Sequence, residues 1–291
     1  MGIFSKAIAD LGSAKHSEPQ QFQEYLRINN LPKVDTATHI SVQTLRGLSE
    51  DLQSAGVMVF RLGSPAGSKG TQFALVRYVG GWDDYFLLDK AVFATARQMP
   101  DIELGSQLRV FEVMGDTTET SLVNLAVASG ALSAALQIDI ESIHIVHTTA
   151  QGTYNFPVCP HPLLTAAWQH VAGQVEIDAA FVSKRAGVET LFVVEAKVSK
   201  EFESLAKPKI AYPIYAVRQQ LAKTNTNIPV VGVYLRAIRK ADRGYDLFVA
   251  ECHFTDSGEA VASLEATNPT KTRIRSNAAA DSQTSIFEDS D

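Results

Sequence analysis

The stretch between residues 173 and 198 constrains this chain more than any other. Residues 173–183 alternate polar and apolar side chains at the two-residue period of a strand, residues 184–188 make a turn, and residues 189–198 are strongly apolar. This pattern predicts an antiparallel hairpin or a closely related pair. Helical spacing over residues 210–223 follows, then two more apolar runs, residues 229–235 and 245–252. The order β-β-α-β-β implies an α/β (α+β) fold, a mixed sheet with at least one helix packed on it.

The rest of the 291 residues is organised around that unit. Residues 1–103 read as a smaller α+β region: a polar helix or arm, strands at 56–62, 72–79 and 85–88, and a helix at 91–98. Residues 104–277 form the main domain. Ahead of the hairpin it holds a strand at 108–114, a Leu- and Ala-rich helix at 119–136 capped by Thr117 or Thr118, a strand at 143–146 and a helix at 163–171. Residues 278–291 carry four acids and no base and read as a disordered tail.

Within the hairpin, Asp178 is mid-strand and faces the run Glu195-Ala196-Lys197. Residues two apart on a strand share a face, so Glu195 and Lys197 point one way and Ala196 the other, into the core. Two acids and a lysine on otherwise apolar strands are costly unless something binds there. A hard divalent cation fits, because Mg²⁺ takes one or two carboxylates together with water and phosphate oxygens. Asp178, Glu195 and the backbone carbonyl of Ala196 are the metal-ligand candidates, and Lys197 is placed to orient or activate a water, or to hold a phosphate.

The set Ile177-Asp178…Glu195-Ala196-Lys197 resembles the PD-(D/E)xK nuclease superfamily, to which most type II restriction endonucleases, the mismatch-repair nickase and Holliday-junction resolvases belong. The likeness covers roughly residues 104–254, about half the chain. Ile177 stands where the motif's name has Pro; this touches no ligand but removes one distinguishing letter. The resemblance implies a restriction-endonuclease-like mixed sheet core flanked by helices. It also implies catalytic roles for Asp178, Glu195 and Lys197, with Mg²⁺ as cofactor and Mn²⁺ as a substitute. The expected activity is hydrolysis of double-stranded DNA, as a type II restriction enzyme working as a homodimer or by successive nicking. The N-terminal region would read DNA or dimerise. The alternatives are a structure-specific repair or recombination nuclease and a non-catalytic nucleic-acid-binding module. By the same resemblance, Glu119 is a candidate additional acid on a helix ahead of the hairpin, and Gln219 a candidate contact from the helix after it.

Charge is uneven. The formal net charge is −6, yet residues 181–243 hold 12 Lys and Arg against 5 acids. Lys200, Lys207 and Lys209 lead out of the Glu195 strand and are the expected phosphate contacts. Other classes are disfavoured. No apolar run reaches the ~18–20 residues of a membrane span, there is no secretory signal, and two cysteines are too few for a disulfide framework, so a cytoplasmic protein is expected. The loop at residues 63–70 lacks the Gly-Lys-Ser/Thr adjacency of a phosphate-binding loop, so no nucleotide cofactor is expected.

Overall fold

A computed structural model of the protein describes residues 2–65, 70–103, 110–113, 118–164, 166–241 and 244–275, with only the backbone described at 112 and 113. Helix α1 (Ser5–Leu11), strand β1 (Gln20–Gln21) and helices α2 (Phe22–Ile28), α3 (Thr36–Ile40) and α4 (Glu50–Ala55) come first. Strands β2 (Val57–Gly63), β3 (Gln72–Arg77) and β4 (Phe86–Leu88), helix α5 (Asp89–Val92) and strands β5 (Arg97–Gln98) and β6 (Ile102–Glu103) follow. Next are helices α6 (Val110–Val113), α7 (Glu119–Ala128) and α8 (Ala131–Ala135), then strands β7 (Thr148–Val158), β8 (Trp168–Arg185), β9 (Val188–Ser199) and β10 (Ser204–Ala206). Helix α9 (Pro208–Lys223) and strands β11 (Val230–Arg239), β12 (Tyr245–Phe254) and β13 (Leu264–Arg275) are the last described elements.

The architecture is mixed α+β, with a large mixed sheet flanked by helices. Its strand order is β1-β3-β2-β8-β9-β11-β12-β13-β5, with β7 also on β8 and β6 also on β13. The expected hairpin is present: β8 and β9 pair antiparallel, and Ala186 and Gly187 turn the chain with positive φ. β9 then pairs parallel with β11, which requires a crossover, and α9 supplies it.

The apolar run of β9 is buried on both faces. Val193 packs with Ile210 and Ile214 of α9, while Phe192, Val194 and Ala196 pack with Leu122 of α7 and Leu132 of α8. Gly232 on β11 lets α9 lie close, since a Cβ there would come within 2.8 Å of both Ile210 and Ile214. β2 meets β8 at Gly63 and Val171, where a Cβ on Gly63 would stand 2.3 Å from the Val171 carbonyl oxygen. Phe22 and Phe60 share one buried cluster with Phe156 and Val175.

Several local expectations are corrected. Residues 91–98 are not one helix: α5 ends at Val92, and Arg97–Gln98 pairs with β13, a distant partner that overrides local propensity. Residues 110–113 are helical where a strand is expected, and the remainder of 108–114 lies outside the described residues. The long helix is broken at Gly130, whose φ is 75°. Residues 143–146 form no strand, and β7 starts just after them. Residues 168–171 open β8 instead of ending a helix, because Trp168 and His170 are buried and Gln169 is exposed, a period of two. The tail at 278–291 and Thr117 lie outside the described residues, while Thr118 does cap α7, accepting from the Ser121 N–H.

Candidate active site

The three central residues converge. Asp178 lies at an irregularity in β8: Thr148 pairs with Ala180 but Ala150 with Ile177, so Asp178 and Ala179 together face Thr149 alone. Such a bulge re-aims a side chain. The Asp178 carboxylate turns across the hairpin, and its Oδ2 accepts the Ala196 N–H at 2.8 Å. Glu176, before the bulge, is exposed and bonds to Gln151.

Glu195 is 3% exposed, and its Oε1 lies 3.0 Å from Lys197 Nζ and 3.8 Å from Lys209 Nζ. That oxygen is ion-paired with the Lys197 ammonium, and Lys209 stands beyond hydrogen-bond distance. Lys197 Nζ also donates to Glu119 Oε1 at 2.9 Å, which brings the acid opening α7 to the cluster. Three carboxylates and two ammonium groups therefore meet at the end of α9.

Burial dominates the titration of the acids. It pushes Glu195 up to about 7 against the pull of Lys209 and Lys197, and it raises Asp178 against the Ala196 N–H and Lys197. Lys197 goes the other way: burial lowers it, but Glu195 and Glu119 outweigh burial and hold the ammonium protonated. A raised Glu195 makes stability depend on pH. Its contribution is fully present below the unfolded value near 4.5, declines as pH rises, and is lost above about 7, a change on the order of 3 kcal/mol. In EDTA, chemical denaturation of the wild type between pH 4.5 and 7 is expected to show this decline, and Glu195→Gln to remove most of it. Equal slopes in the two proteins would contradict the assignment.

Among the described residues, no group of three or more His, Cys, Asp and Glu side chains is arranged to hold a metal ion. Asp178, Glu195 and the Ala196 carbonyl are oxygen donors of the kind that could hold a hydrated hard cation. The two carboxylates, Glu195 raised by burial and by the Asp178 charge beside it, are the observation that fits such an ion.

The outer residues fare differently. Gln219 is not at the cluster. It sits ten residues along α9 from Lys209, about 15 Å at helical rise, beside Cys159 and Glu259. Lys200 is exposed, as a phosphate contact requires. Lys207 is not available: it is 5% exposed and donates to the Ala262 carbonyl at 2.8 Å. Lys209 belongs to the cluster itself, a role the sequence did not signal.

The basic segment is also less free than its composition suggests. Arg185 pairs with Glu251, Arg218 with Glu259, Lys240 with Asp246, and the buried Arg236 with Asp89 and Glu203. Net charge over a segment did not reveal these pairings, because most of the acids lie outside residues 181–243.

No curated protein and no solved structure matches the chain. A family model described as a domain of unknown function (DUF6997) matches residues 88–271, from β4 through α9 and into β13, the whole candidate site included. The chain belongs to this family.

Proposed function

We propose that the protein is a Mg²⁺-dependent DNA endonuclease of the PD-(D/E)xK type, acting on double-stranded DNA as a type II restriction enzyme. The convergence of Asp178, Glu195 and Lys197 at a strand bulge, with the Glu195 carboxylate almost fully buried, carries this reading. The element order supports it: α7 brings Glu119 ahead of the hairpin, and α9 crosses from β9 to the parallel β11.

Asp178, Glu195 and the Ala196 carbonyl would hold the metal, with Mn²⁺ able to replace Mg²⁺. The bound ion supplies polarisation of a phosphoryl oxygen and a lowered water pKa. Lys197 acts as a fixed positive charge. Held protonated by Glu195 and Glu119, it offers its ammonium to a phosphate oxygen and is no proton acceptor at neutral pH. Lys209 adds a second cation beside Glu195.

Plasmid DNA incubated with the protein in Mg²⁺, with an EDTA control, tests the reading. Discrete linear fragments are expected. Nicking or junction-restricted cutting would instead assign a repair nuclease, and intact DNA under every metal condition would sink both. DNA binding should follow the geometry of the lysines. Lys200→Ala is expected to reduce the slope of log affinity against log salt by about one phosphate contact, and Lys207→Met to leave it unchanged, as read by fluorescence anisotropy across a salt series.

A further inference from the structure

Beside the acid cluster lies a cavity of about 280 Å³, walled by β2 and α3 of the N-terminal region, by β8 and by α9. It is roughly nine times the volume a water occupies in the liquid, enough for the ten or so heavy atoms of a nucleobase. Lys209 lines this cavity and stands 3.8 Å from Glu195, so one side chain separates the cavity from the candidate catalytic carboxylates.

The walls are of two kinds. Val42, Pro208 and Tyr212 offer apolar and aromatic surface for a flat ring. Arg61, Gln43 and Gln174 offer donors and acceptors, and Arg61 Nε is buried without a partner. Arg61 makes no ion pair among the described residues; its Nη1 donates to Ser41 Oγ at 3.0 Å. His170 also lines the cavity, fully buried. The Gly173 and Arg61 carbonyls stand near its ring, but neither ring nitrogen is aligned on a partner. Burial lowers its pKa to about 4, so the ring is neutral and carries one donor and one acceptor. Pro213, in the same wall, has no N–H to give the Lys209 carbonyl four residues back. The acid Glu176 shares the lining with the cations Arg61 and Lys209, which is not the uniform positive charge of a phosphate pocket.

We propose that this cavity receives the base of a nucleotide whose phosphate lies toward Lys209 and the Asp178–Glu195–Lys197 cluster. The inference rests on the nuclease reading for the meaning of that phosphate. It goes beyond that reading in giving the N-terminal region a recognition role: Arg61 and Gln43 would read the base edge while Val42 and Tyr212 bound its faces. A base swung out of a strand is recognised in this way, by edge hydrogen bonds and apolar walls. A free nucleotide carries the same chemistry.

Isothermal titration in EDTA tests it, with the four deoxynucleoside 5′-monophosphates, and deoxyribose 5-phosphate as the baseless control. At least one nucleotide is expected to bind the wild type about tenfold or more tightly than the sugar phosphate. Ser41→Phe, which places a ring at the Arg61 wall, should reduce that nucleotide to the level of the control. Gln174→Ala, an exposed position, should weaken it several-fold, and circular dichroism of both variants should match the wild type. Equal binding of nucleotide and sugar phosphate, no nucleotide binding, or unchanged binding by both variants would overturn the proposal. Displacement of the bound nucleotide by a single-stranded oligonucleotide assigns the base to a strand, and no displacement assigns it to a free nucleotide. The titration needs no metal, so its failure is separable from that of the nuclease reading. Base-dependent binding without plasmid cleavage leaves the cavity and removes the nuclease; cleavage without base-dependent binding does the reverse.

Discussion

Glu195→Gln is expected to lower Mg²⁺-dependent DNA cleavage by about 10²–10⁴-fold, with the protein still folded. The substitution keeps the shape of the side chain and removes the charge that the metal requires. It also removes the counter-charge 3.0 Å from Lys197, although Glu119 still holds that ammonium. Asp178→Asn should show a comparable loss, because its second oxygen is the one free of the Ala196 N–H. Mg²⁺ should raise the melting temperature of the wild type at pH 8 and leave both variants unmoved, since metal binding favours the ionised carboxylates. Initial rates on plasmid DNA, paired with thermal melts, give both readouts. Wild-type rates in Glu195→Gln would remove Glu195 from catalysis outright.

Arg236→Met is expected to cost about 3–5 kcal/mol of stability, the largest effect of any single side chain considered. Arg236 is 1% exposed and Asp89 is fully buried, with Arg236 Nε 3.0 Å from Asp89 Oδ2. The other Asp89 contacts are the Tyr234 hydroxyl and the Glu203 N–H, both donating at 2.8 Å. Burial still raises the Asp89 pKa against the pull of Arg236, so the carboxylate is already under strain from desolvation. Without the guanidinium an uncompensated charge would remain inside the fold. The double variant Arg236→Met/Asp89→Leu should recover much of the loss, because removing both charges also removes their desolvation. Urea denaturation of the three proteins measures this, and equal losses in the single and double variants would contradict a coupled pair. The network ties α5 to β11 and to the segment just after β9, so it also holds the strand end that carries Lys197.

Much of the core around the site was legible because its signals are local. The period-two pattern of β8, the apolar run of β9, and the helical spacing of α9 each lie within about twenty residues. β5, β7 and β13 were not legible. Their sequences are short or polar: Arg97–Gln98 is a strand because the distant Thr270–Lys271 pairs with it, while β7 and β13 are held by their chain neighbours β8 and β12. The fates of Lys207 and Lys209 show the same division. Both lie near the start of α9 and look alike in sequence, but one reaches inward to Ala262 and the other toward Glu195.

The sequence by itself determined the mixed α+β class, the hairpin, and the placing of Asp178 opposite Glu195-Ala196-Lys197, because alternation and strand pairing are properties of neighbouring residues. Tertiary structure alone decided the bulge that aims Asp178, the arrival of Glu119 and Lys209, the burial that lifts Glu195, and the pairing of much of the basic segment with acids elsewhere in the chain. Those outcomes depend on which surfaces meet after folding, and desolvation and ion pairing act only once they have met.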